Sequence, residues 1–432
     1  MNFKNMKTIK ILFPYSAGPD VSSFYSIFFD NVLPELKKKV NVKVIWLVYQ
    51  PEKNIITKSY DDVKIIYIQD YSDAFTVLKK EAPDILFSFP WPDFIAYAFA
   101  LAAKSLKIPT FSIIFSHTYQ ERTYQQTLQS YFTRFFEKSV PTDSTKENKQ
   151  FMRRGRFFLK KYLFLMKTQK SLGFRFTKII SDFFMLIKLL LTETQGTIDP
   201  RFATKIHFAV GENLINSYTE KGFSRSSIIL TGNPTYDSTF KKFFQKQTSE
   251  SKIIRILFAP STQYESGFWT KQQRDHVFKS IVQILSNQEN ISLIVKIHPS
   301  TARLSEYQEL INSVNKSVKL VQKGDLRDFL ENVDVYISSE ISTGEFFAVI
   351  AKIPIIICRF FEDSDENILV KHNVAKLCKN PENLLKIINS VKTNPILELD
   401  RQKFIQSFLY KDDGCASERI ASELIKLVNE KK

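Results

Sequence analysis

The sequence predicts an α/β protein of two doubly wound, Rossmann-like domains facing a cleft, with a basic helical insertion between them. Three observations carry this. At 432 residues the chain is long enough to bury two ordinary cores. Short apolar runs alternate with helical stretches over residues 8–119 and again from 205 onward, the rhythm of βαβ crossovers and of parallel sheets covered on both faces. Residues 120–200 break that rhythm with a basic, aromatic-rich segment and the polar stretch "SVPTDSTKENKQ" (139–150). An interruption of that size reads as an appendage, not a third core.

In order, the strands of the first half are "IKILFPY" (9–15), "VKVIWLVY" (42–49), "VKIIYIQ" (63–69), "DILFSF" (84–89) and "TFSIIFS" (110–116). Helical patterns lie between them at about 22–38, 72–81 and 93–106. The second series begins with "KIHFAVG" (205–211), a helix near 212–222 and "SSIILTGNP" (226–234). It continues with "IIRILFAPS" (253–261), a helix near 270–287, "ISLIVKIHP" (291–299) and a helix near 303–315. "VKLVQ" (318–322), "DVYISS" (334–339), a helix near 343–352 and "IPIIICRF" (353–360) complete it. The expected divisions are an N-terminal domain at 1–119, the insertion at 120–200, a C-terminal domain at 201–415 and a last helix at 416–432 that packs back across the junction.

Hydrophobic residues at 44% and charged residues at 25% are globular values. Cys358, Cys378 and Cys415 show neither metal-ligand spacing nor a disulfide framework, which fits a reducing cytoplasm. The N-terminal "MNFKNMKTIKILFPY" has no long apolar run, so no signal peptide is expected. The net charge of +16 is concentrated: residues 146–188 hold twelve Lys/Arg against Glu147 and Asp182. No apolar run there approaches the roughly 18 residues of a spanning helix. Cations interleaved with aromatics suit an anionic membrane surface or a lipid-linked acceptor, and residues 146–191 are read that way first. Two ordinary helices with a solvated basic face are the plainer reading, and nucleic acid is the third.

In open parallel sheets, ligands sit beyond the carboxyl ends of the strands. Four polar clusters fall at such ends in the second half. They are Thr231-Gly232-Asn233, Ser261-Thr262, His298-Pro299 after Lys296, and Ser338-Ser339 leading to Ser342-Thr343-Gly344-Glu345. The last opens a helix with small hydroxyl residues, which suits phosphate oxygens at a positive helix end, although plain capping needs only one such residue. His298 read alone is as well a core histidine as a ligand. Beside Ser261, Ser342 and Thr343 it reads as a donor to a phosphate.

At this point the sequence resembles GT-B-fold glycosyltransferases and their relatives, through a strand ending in "HP" and an "STG" helix start. Residues 205–238, "KIHPS" and "SSEISTGEFFAVIAKIPIIICRF" are most similar to non-hydrolysing UDP-N-acetylglucosamine 2-epimerases. The "HP" and serine-pair features also resemble CDP-glycerol glycerophosphotransferases and bacterial sialyl- and polysialyltransferases. The resemblance implies a nucleotide-sugar site at Gly232, Asn233, Ser261, Thr262, Lys296, His298, Ser342, Thr343, Gly344 and Glu345. Two departures favour a transferase over an epimerase. The epimerases' early Gly-Thr-Arg-Pro-Glu loop is "PYSAGPD" (14–20) here, and Glu345 is followed by Phe346-Phe347 in place of a nearby second glutamate.

An inverting transferase needs a base for the acceptor hydroxyl. The candidates are Asp20, which also reads as a helix cap, and His117 with Glu121, where the resemblance places a histidine and a glutamate at a strand end. No nucleophile elbow, Walker loop or zinc helix is present. The expectation is a glycosyltransferase using a nucleotide-activated sugar (or sugar-like) donor and a surface-glycan or lipid-linked acceptor. It needs no cofactor or metal, and it sits in the cytoplasm, peripheral on the inner face of the cell membrane. The alternatives are a UDP-N-acetylglucosamine 2-epimerase-like enzyme, a CDP-glycerol-type glycerophosphotransferase and, from another class, a non-catalytic nucleic-acid-binding protein.

Overall fold

The computed structural model describes residues 7–15, 28–49, 63–90, 92–114, 144–192, 199–202, 205–244, 252–265, 269–299, 303–339, 342–361, 367–393 and 397–430. The chain divides into two compact units, residues 1–235 with 408–410 and 415–432, and residues 236–407 with 411–414. Each is built on an all-parallel sheet, as the alternating pattern predicts.

The first sheet runs β3-β2-β1-β4-β5-β6-β7. Its strands are β1 (Thr8–Tyr15), β2 (Asn41–Val48), β3 (Val63–Tyr67), β4 (Ile85–Phe87), β5 (Thr110–Ile114), β6 (Ile206–Ala209) and β7 (Ile228–Leu230). Successive residues of a strand face opposite sides, and here both sides are buried. Ile11, Phe13, Val44 and Trp46 meet Phe28, Phe29 and the C-terminal helix Ala416–Asn429 through Ile420, Leu424 and Leu427. Phe13 is the hub, with ring centroids 4.7 Å from Phe28, 5.4 Å from Phe87 and 5.8 Å from Trp46. Leu12, Ile45 and Leu86 face the other way, into a core formed with the helices Ala74–Glu81 and Phe94–Ser105. The second of these starts where Asp93 accepts from the Ile95 and Ala96 amides at 2.8 and 3.3 Å, a cap that stabilises a helix by about 1 kcal/mol.

The insertion contributes two helices, Ser144–Ser171 and Phe176–Thr192. Phe164, Leu165, Leu186 and Leu189 join the core around the helix Phe94–Ser105. The Asp182 carboxylate is buried there among Lys178, Gln169 and the Tyr97 hydroxyl, at 2.6, 2.8 and 3.2 Å. One apolar face of this segment is therefore committed to the first unit. Among the described residues no helix is long and apolar enough to cross a membrane.

The expected division at 200/201 is corrected. β6 pairs with β5, Phe111 beside Ile206 and Ile113 beside Phe208, so the sheet continues to residue 230 and the unit to 235. The last helix likewise belongs to the first unit. Gly232, just past β7, explains why the turn there is fixed. Its φ is +81°, and an added Cβ would lie 3.1 Å from the Leu409 carbonyl oxygen and 3.3 Å from Ala416 Cβ. Gly232→Ala is expected to cost about 1–3 kcal/mol, read as a lower urea midpoint at unchanged m-value.

The second sheet runs β10-β9-β8-β11-β12-β13. Its strands are β8 (Ile254–Ala259), β9 (Ile291–Lys296), β10 (Lys319–Val321), β11 (Val335–Ser338), β12 (Ile355–Cys358) and β13 (Lys376–Cys378). Ile256, Phe258, Val295 and Ile337 pack under the helices Lys271–Ser286, Leu304–Asn312 and Leu384–Thr393. This is the doubly wound strand order, and its direction of growth reverses between β8 and β11.

Candidate functional site

In doubly wound sheets, helices leave such a reversal on opposite faces, and ligands take the space this opens at the carboxyl edge. Eight of the ten binding residues that the sequence singles out lie along this edge. The Ser261 amide, just past β8, donates to Ser339 Oγ, just past β11, at 3.0 Å, and the two hydroxyls lie 3.1 Å apart. Ser339 is buried, whereas Ser261 and Thr262 are half-buried at the rim.

The helix Thr343–Ile350 starts at the same edge. Ser342 caps it, its hydroxyl accepting from the Gly344 amide at 3.2 Å. Glu345 completes a capping box, accepting from the Ser342 amide at 2.6 Å and its hydroxyl at 2.9 Å. Ser342 thus holds the helix start in place, and exposed Thr343 stands beside its first amides, where the helix dipole is positive. Gly344 is buried against the floor. A Cβ there would collide with Tyr336 Oη and lie 2.9 Å from Leu326 Cδ2. Glu345 is fully buried, and burial pushes its carboxyl up to about 7, against the pull of the Ser338 and Ser342 hydrogen bonds.

β9 delivers the third element. Lys296 is 5% exposed, and its ammonium donates to the Gln322 carbonyl at 2.7 Å and to that of Ile297 at 3.3 Å. It ties the end of β9 to the chain leaving β10, while desolvation holds its pKa below the usual lysine value against the Asp325 charge. His298 follows at the surface. Crowding by protein atoms lowers its pKa first, the Lys296 charge pushes the same way, and Glu265 opposes them. The ring is therefore mainly neutral at pH 7, with one N–H to donate.

The edge also contains residues to which the sequence reading gave no role. Arg274 and Arg303 stack on the Tyr264 ring with guanidinium carbons 4.4 and 4.6 Å from its centroid, and Arg303 also donates to the Tyr264 hydroxyl. Tyr307 donates to Glu265 at 2.9 Å. Tyr264 and Glu265 follow β8, and Arg303 follows β9. Placing those two strands side by side would have marked the cluster.

Ser261, Thr262, Lys296, His298, Ser342, Thr343, Gly344 and Glu345 therefore share the carboxyl edge of one sheet, along the neighbouring strands β9, β8 and β11. Gly232 and Asn233 do not. They belong to the first unit, where Asn233 Oδ1 accepts from the Thr235 amide and hydroxyl at 3.0 and 2.7 Å, a turn-forming arrangement. Asp20, His117 and Glu121 lie outside the described residues. Arg274 and Arg303 are already paired with Asp275 and Glu306, so what the edge offers is a helix start, hydroxyls and a neutral imidazole, a set that suits an oxyanion-rich ligand.

No protein-family model matches the chain, and comparison with curated proteins gave no match. Solved structures do resemble it. S. aureus MnaA in a co-structure with UDP is 15% identical with a TM-score of 0.52, over 98% of this chain and 97% of that one. The UDP-GlcNAc 2-epimerase from Neisseria meningitidis bound to UDP-GlcNAc is 16% identical at 0.52, over 97% and 100%. The glycosyltransferase of kitacinnamycin is 11% identical at 0.50, over 97% and 98%. At these identities the likeness is one of fold. Two Rossmann-like units and a match along nearly the whole chain show that the protein has a GT-B-like fold.

Proposed function

We propose that the protein is a glycosyltransferase that takes a sugar or sugar-like group from a nucleotide-activated donor and passes it to a surface-glycan or lipid-linked acceptor. The observation that carries this reading is the placement of Ser261, His298 and the capped helix start along one carboxyl edge, beside the strand-order reversal of the second sheet. The similar structures holding UDP or UDP-GlcNAc support a nucleotide-sugar ligand. In this reading the diphosphate lies along the edge, taking hydrogen bonds from His298, the Ser261 and Thr343 hydroxyls and the helix-start amides. These donors stabilise the charge that develops as the glycosidic bond to the diphosphate breaks, without requiring a metal. Asp20, or His117 with Glu121, removes the proton from the acceptor hydroxyl.

An epimerase-like reading is the second, favoured by the likeness to solved 2-epimerases. Against it stands the sequence after Glu345. Phe346 and Phe347 pack on Tyr236 with ring centroids 6.4 and 5.0 Å away, so aromatic side chains occupy the positions after the lone glutamate. Proton NMR of candidate sugar nucleotides incubated with the enzyme and glycan acceptors separates the two. Transfer predicts loss of the donor's anomeric signal and the appearance of free nucleotide. A second set of sugar-nucleotide signals with no free nucleotide would overturn the transferase in favour of epimerisation.

A further inference from the structure

The insertion helices keep a second apolar surface that remains exposed among the described residues. Phe158, Leu159 and Leu163 on the first helix are 41, 54 and 38% exposed, and Phe176, Ile180 and Phe184 on the second are 69, 38 and 64% exposed. Isolated exposed apolar residues are ordinary, but these are half of the twelve large ones found among the described residues. They are also ordered. Phe176, Ile180 and Phe184 recur every fourth residue, as do Leu159 and Leu163, so each helix carries one stripe.

The charge around the stripes has a single sign. Lys160, Lys167, Lys170, Arg175, Lys178 and Lys188 are all exposed. Asp182, the one carboxylate between residues 157 and 189, is buried and bound by Lys178, Gln169 and Tyr97. Lys178 is taken up by Asp182, and the exposed charge of the described hairpin is otherwise basic.

We propose that this face of the hairpin docks on an anionic lipid bilayer, its phenylalanines and leucines entering the headgroup boundary and its lysines meeting lipid phosphates. The buried stripe of Phe164, Leu165, Leu186 and Leu189 holds the helices to the first unit, so the contact is made by a presented face, not by a free amphipathic helix. Charge complementarity favours this occupant over a second copy of the chain, which would present the same cations. The inference does not depend on the nucleotide site.

Flotation of the full chain with vesicles tests it, using phosphatidylcholine alone or with phosphatidylglycerol added, at low and high salt. The chain is expected to float only with anionic vesicles and to dissociate as salt rises. Phe176→Ser with Phe184→Ser is expected to lower the partition coefficient by at least about tenfold, and Lys167→Glu with Lys170→Glu to lower it as well. All four positions are exposed, so unchanged circular dichroism confirms that the variants fold. Absence of binding to anionic vesicles overturns the proposal, as does binding that the paired phenylalanine variant leaves intact. Self-association that the phenylalanine variant abolishes, without vesicle binding, assigns the face to a second copy instead.

Discussion

Raising the pH from 5 to 8 is expected to weaken the second unit through Glu345, and Glu345→Gln to remove that contribution. The folded-state carboxyl, at about 7, lies above its ordinary 4.5. Between these values the folded protein holds a proton that the unfolded chain has released, so stability falls as pH rises through that window. The contribution is fully present below the unfolded value and gone above about 7. A difference of 7 − 4.5 = 2.5 pKa units corresponds to roughly 3 kcal/mol. Other carboxyls pull the opposite way. Glu306, Asp325 and Asp334 are held below their ordinary values by Arg274, Arg327 and Arg255, against the desolvation that burial imposes, and they weaken the fold as pH falls. The informative quantity is thus the difference between wild type and variant. Glutamine keeps an oxygen for the Ser342 amide, so the capping box survives. Amide exchange over 335–350, measured at pH 5 and pH 8, should show wild type losing protection relative to the variant. Parallel pH profiles would contradict the assignment.

Gly344→Ala is expected to destabilise the same unit by about 3 kcal/mol, at the upper end of ordinary overpacking. The position needs no unusual backbone angle. It needs space, because the new methyl would enter the Tyr336 hydroxyl and press on Leu326. Tyr336 is fully buried on β11 and has no room to retreat. Removing the obstructing atom should relieve the clash, so Tyr336→Phe is expected to recover at least about 1 kcal/mol of the loss in a double-mutant cycle. Additive losses in chemical denaturation would mean that the glycine is required for another reason.

What could be read in advance follows from what sequence periodicity encodes. β1, β2 and β8 are buried on both faces, so "IKILF", "VKVIWLV" and "IRILF" stand out as apolar runs. β13 is the three residues "KLC", too short for any period, and the helices Leu384–Thr393 and Glu398–Phe408 after it also went unread. β6 and β7 were visible as strands but assigned to the wrong sheet. Their place depends on pairing with β5 across the whole insertion, and the pattern of one strand does not specify its partner. The edge residues Ser261, His298 and Ser342 were legible because strand ends and caps have local signatures. The burial of Glu345 and the stacking of Tyr264 between Arg274 and Arg303 were not, since both arise from packing between segments distant in sequence.

The central claim is that the carboxyl edge of the second sheet holds a nucleotide diphosphate beside His298. A thermal-shift screen of UDP, CDP, GDP, CMP and their sugar conjugates tests it most directly, run on wild type and on His298→Ala. The account predicts a rise in Tm selective for one base. At a ligand concentration 100 times Kd, the stabilisation is about 2.7 kcal/mol. His298 is at the surface, so the variant should keep the unliganded Tm and lose most of the shift. No shift with any nucleotide, or an equal shift in His298→Ala, would contradict the claim.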